Sequence, residues 1–62
     1  MEFSEQQIIE VAAILNREFW DNIFNHHLHE KLIKKNGSRA NAISATFHLF
    51  LALTRKEVEK MV

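Results

Sequence analysis

The run Ile43-Ser44-Ala45-Thr46-Phe47-His48-Leu49-Phe50-Leu51-Ala52-Leu53 constrains this chain more than any other stretch. It is apolar nearly all the way round a helix, whereas a surface helix normally shows one apolar stripe and one polar face. A helix in a chain of 62 residues can turn only part of its circumference toward the rest of its own fold. Ala42, Leu49 and Leu53 fall on the far side and call for cover from a second polypeptide.

The size of the chain gives that expectation its weight. Domains near 60 residues bury only about 60% of the surface of the unfolded chain and usually need a staple. The sequence has no cysteine, so disulfides and thiolate metal sites are ruled out, and a reducing cytoplasm is the expected compartment. Association is the support that remains, and a homodimer is its simplest form, because two-fold closure lets one apolar patch cover its own copy. Each large apolar side chain left in water forgoes about 1.5–3 kcal/mol, a sizeable part of a small domain's stability. The expected self-association residues are Phe47, Leu49, Phe50 and Leu53.

With no proline, one glycine and no alternating strands bounded by turns, the chain reads as all-α. The expected fold is a small helical hairpin or a bundle of three to four helices in a single domain, completed by dimerisation. Ser4 and Gln7 make a capping box, with Phe3 and Ile8 as a hydrophobic staple, so the first helix starts at residue 5. Ile8, Val11, Ala12, Leu15, Phe19 and Ile23 lie on one stripe, and Glu10, Arg17 and Asp21 lie opposite. From Trp20 a second row begins, Trp20, Phe24, Leu28 and Leu32. Helices over 5–21 and 23–35 are therefore expected, either continuous or bent between Asp21 and His27, with the bend favoured.

Lys34 and Lys35 suit the negative end of a helix dipole, and Asn36-Gly37 follows as a stop. Ser38 then caps a helix over 39–53. Thr54 with Glu57 repeats the capping-box pattern and sets off a short helix over 55–61, although Thr54 also fits an uninterrupted helix. Across the Asn36-Gly37 connection the core is expected to gather Leu15, Phe19, Ile23, Phe24, Leu28, Ile43, Phe47, Phe50 and Leu51.

Equal numbers of basic and acidic residues, eight of each, leave no net attraction to phosphate or to an acidic membrane face. The N-terminal residues are acidic where a secretory leader would be basic. The apolar run is also well short of the roughly 18 residues of a membrane span. A soluble protein without membrane contact is expected.

The His26-His27-Leu28-His29-Glu30 cluster is the most conspicuous chemistry. On a helix His26 stands one turn from His29 and Glu30, which makes those three the metal candidates, but three convergent ligands do not follow from one turn because His27 points about 100° away. No cofactor is expected, and a partly exposed polar face is the favoured reading. His48 reads as a hydrogen-bonded residue at an interface margin. Enzymatic equipment is missing: there is no thiol nucleophile, no phosphate loop and no orienting acid for the Ser44–His48 pair.

Residues 32–44 resemble a degenerate helix-turn-helix, with Gly37 in the turn and Ile43 and Ser44 after it. The resemblance implies phosphate contacts from Lys34, Lys35 and Arg39 in a small dimeric DNA-binding regulator. Against it, Ile33 stands where the motif takes a small residue, and the second helix continues into Phe47, Leu49 and Phe50 where polar base-reading groups belong. With zero net charge, nucleic acid is the alternative reading. The favoured one is a protein-interaction module, a homodimeric regulator or inhibitor that docks a larger protein through an apolar helix face. Trp20 and Phe24 are its expected anchors, provided the core does not consume them.

Overall fold

Ser4 caps the first helix. In the computed structural model, which describes residues 3–61 and side chains through residue 60, Ser4 Oγ accepts the Gln7 N–H at 3.1 Å. Gln7 Oε1 accepts the Ser4 N–H at 2.8 Å, completing the expected capping box. From there three helices follow, α1 (Glu5–Asn22), α2 (His27–Asn36) and α3 (Arg39–Met61), with no strand among the described residues. The protein is all-α.

The chain turns sharply between α1 and α2. Ile23 N–H closes α1 on Phe19 O at 3.1 Å, and His26 N–H bonds Ile23 O at 2.9 Å. His26 then takes an extended conformation and caps α2, its Nδ1 accepting the Leu28 N–H at 3.1 Å. α2 stops at Gly37, whose φ of +89° is the left-handed conformation that an L side chain resists. Its N–H reaches back to Ile33 O at 2.9 Å. Ser38 Oγ accepts the Asn41 N–H at 3.1 Å and opens α3.

α3 runs without a break to Met61, and the separate helix over 55–61 does not exist. Thr54 explains the difference: its hydroxyl bonds Phe50 O, one turn back in the same helix, at 2.7 Å and does not cap a new one.

α1 lies antiparallel along α3. Glu5 pairs with Arg55 near one end, and Asn16 and Trp20 reach Ile43 and Thr46 toward the other. The buried row of α1 is Ile8, Ala12, Asn16 and Trp20, facing Ala42, Thr46 and Thr54 of α3. The α1 row steps by four residues and the α3 row by four and then eight, the register at which the ridges of two helices interlock. Trp20, Ile23 and Ala42 form the core, with Phe19, Leu28, Leu32, Ile33 and Ile43 packed against it.

This arrangement corrects the sequence expectation at four residues, Val11, Leu15, Phe24 and Ala42. Val11 and Leu15, expected on the packed stripe, are exposed, because over that length α1 has one helical neighbour and only a narrow row is covered. Phe24, expected inside, is 57% exposed, since the chain leaves α1 just before it. Ala42, expected to need cover from outside, is fully buried against Trp20 and Ile23. Leu49 and Leu53 do face outward, 65% and 56% exposed.

Candidate functional site

Three surface features follow from how α1, α2 and α3 meet. The first is a groove of about 260 Å³ between α1 and α3, lined by Val11, Leu15, Phe50, Leu53, Thr54 and Glu57. Its exposed lining is carbon throughout. It stands open for a simple reason of length: α2, ten residues and about 15 Å long, is tied to the start of α3 and cannot reach the second half of a helix of about 35 Å. Val11 and Leu15 are one turn apart on α1, as Leu49 and Leu53 are on α3, so each wall continues as an exposed apolar row.

The second is a wider cleft of about 550 Å³ on the other flank of α1. Ala13, Ile43 and Phe47 line it beside the edge of Trp20, and Arg17, Asp21, Arg39 and Ser44 also border it. Ala13 and Arg17 stand about 160° from Val11 and Leu15 around α1, so the two openings face opposite ways.

Beneath this cleft is a closed set of hydrogen bonds. Trp20 Nε1–H donates to Thr46 Oγ1 at 2.7 Å, the Thr46 hydroxyl donates to Asn16 Oδ1 at 2.6 Å, and Asn16 Nδ2–H donates to Ile43 O at 3.1 Å. Ile43 O also lies 3.0 Å from the Thr46 hydroxyl. Asn16 and Thr46 are both buried, and each finds its partners within the set. Sequence reasoning missed them. The available signal was the four-residue spacing of Ile8, Ala12, Asn16 and Trp20, a packed row in which Asn16 reads as a polar interruption.

The third is the histidine cleft at the α1–α2 turn, about 400 Å³, lined by Phe24, Asn25, His26, His27, His29 and Glu30. His26 lies outside the helical stretch and spends Nδ1 on the cap, while His29 is wedged edge-on between Trp20 and Phe24, with centroids 5.5 and 5.9 Å away. No group of three or more His, Asp or Glu side chains that could hold a metal ion occurs among the described residues. The turn has separated His26 from the helical register that made His26, His29 and Glu30 candidates.

Of the remaining expected site residues, Trp20 is buried at 6% exposure and its indole N–H is already bonded, so it is a core residue and not a free anchor. Phe24 remains available at the surface. Phe50 is half-buried, its ring 5.6 Å from that of Phe19, and Phe47 is half-buried at the wide cleft. Lys34 and Lys35 are exposed on the last turn of α2, and Arg39 on the first turn of α3. His48 is exposed on α3.

No protein-family model, curated protein or solved structure matches the chain. Its class is set by its own architecture: a small all-α protein with two openings on opposite flanks of α1. None of its described helices is long and apolar enough to cross a membrane.

Proposed function

We propose that the protein is a helical interaction module that pairs with a second copy of itself through the carbon-lined groove between α1 and α3, and acts as a small regulator of a larger protein. The groove carries this reading. Val11, Leu15, Phe50 and Leu53 form a continuous apolar strip beyond the reach of α2, with Leu49 extending the α3 wall.

Surface area supports it independently. A compact monomer of this mass exposes about 4,200 Å². The chain exposes 4879 Å². The excess of roughly 700 Å² is close to the roughly 800 Å² that each partner contributes to an interface of ordinary size. The radius of gyration is likewise 13.0 Å, against about 10.5 Å for a compact chain of this length. A second copy laid along the groove would bring both values toward those of a closed bundle, and a two-fold axis would give each copy the same contacts.

Sedimentation across a concentration series, paired with thermal melts, tests the proposal. Association predicts a melting temperature that rises with protein concentration, and a Leu53→Glu variant that is monomeric or unfolded at concentrations where the parent pairs. A single monomeric species at every concentration, with a constant melting temperature, rejects it.

A further inference from the structure

The wide cleft has a character of its own. Apart from size, a small-molecule site typically has apolar walls and a few converging polar groups, within a volume of roughly 300–1,000 Å³. This one has about 550 Å³, with Ile43, Phe47 and Trp20 as apolar surface and two guanidinium-bearing residues on its border, Arg17 from α1 and Arg39 from α3. The ion pairs among the described residues are Arg55 with Glu5 and Lys60 with Glu57, so neither Arg17 nor Arg39 has a carboxylate within 4.0 Å. Asp21 borders the same cleft and offsets one of the two charges, leaving a balance that suits a monoanion.

We infer that this cleft binds a small amphipathic organic anion, an aromatic or aliphatic body bearing a single carboxylate. The body lies against Ile43 and Phe47, and the carboxylate is held by the arginines, whose planar donor pairs match it in two-point contact. Arginine also suits a carboxylate at the border of an apolar cleft, being weakly hydrated. The floor below is rigid because Asn16, Thr46 and Trp20 are tied to one another, so the walls are shaped before a ligand arrives. This inference is independent of pairing through the apolar groove, since the two openings share no lining residue.

The chain supplies its own reporter. Its single tryptophan lines the cleft, so a ligand there alters Trp20 fluorescence. The probe is 4-phenylbutanoate, with 4-phenylbutanamide and acetate as controls that keep only the apolar body or only the charge. The expected result is a saturable change with a Kd of about 1 mM for the acid, with both controls at least about tenfold weaker. Arg17→Gln, on an exposed position, weakens the acid by about fivefold or more. Ala13→Leu, also exposed, fills the cleft and abolishes binding, while helical circular dichroism stays that of the parent. Equal binding of the amide or of acetate overturns the inference. So does undiminished binding by the folded Arg17→Gln or Ala13→Leu variant, or the lack of any saturable signal below about 20 mM.

Discussion

The indole N–H of Trp20 donates to the hydroxyl of Thr46 across the α1–α3 interface at 2.7 Å, and both residues are buried. The Thr46 hydroxyl is the partner on which the buried indole N–H depends. Thr46 occupies the middle of the set, accepting from Trp20 and donating to Asn16. Thr46→Val keeps shape and volume but strands two buried polar atoms, at about 1–3 kcal/mol apiece when nothing compensates. Urea denaturation should show a loss of about 2–4 kcal/mol. Thr54→Val is the control: that hydroxyl only bonds back to Phe50 O within its own helix, and its removal should cost less than about 1 kcal/mol. Similar losses in the two variants would mean that the tie between helices adds nothing.

Much of the local architecture was legible because short-range chemistry fixes it. Ser4 with Gln7 and Asn36 with Gly37 mark where a helix starts and stops, whatever lies nearby. Burial was harder to read, because it depends on how many neighbours each helix has. A broad stripe on α1 suggests cover for Val11 and Leu15, yet a single facing helix covers only the four-spaced row through Ala12 and Asn16. Ala42 erred the other way: on a wheel it belongs with Leu49 and Leu53, but the fold-back at Gly37 brings Trp20 and Ile23 onto it. The groove was legible as a need for cover on Leu49 and Leu53. The wide cleft was not, since Ala13, Arg17 and Arg39 meet only once α1 and α3 are antiparallel.

Gly37 tests the turn directly. A Cβ placed there would meet nothing nearer than Asn41 Nδ2 at 4.0 Å, so space is available and the obstacle is the positive φ itself. Gly37→Ala should therefore destabilise the protein by about 1–2 kcal/mol, and Gly37→Asn by less, because asparagine tolerates the left-handed region. Chemical denaturation of the two variants checks the order. If alanine and asparagine cost the same, the left-handed backbone is not what holds the turn.

His26 is an uncommon residue for the position it fills. Its ring nitrogen does the work of a capping oxygen, accepting the Leu28 N–H at the start of α2. Aspartate makes the same kind of bond with a side chain better suited to it, and places a negative charge at the positive end of the helix. His26→Asp should raise stability by about 0.5–1 kcal/mol, and His26→Ala should lower it by a similar amount. Thermal melts at neutral pH resolve both. A stabilised alanine variant would show that the imidazole is not capping.

The α1 wall offers a sharper test of the interface than α3 alone. Val11 lines the groove, whereas Ile14, comparably exposed, stands about 60° from Val11 around α1, opposite the buried row and outside both α1–α3 openings. Glutamate at either position leaves the core untouched and changes net charge by the same amount. Only Val11→Glu puts a charge where the proposed second copy must exclude water, at several kcal/mol if it stays unpaired. Sedimentation should therefore find Val11→Glu monomeric and Ile14→Glu associating as the parent does. If Ile14→Glu dissociates and Val11→Glu does not, the copies meet on the opposite side of α1 and the groove faces solvent.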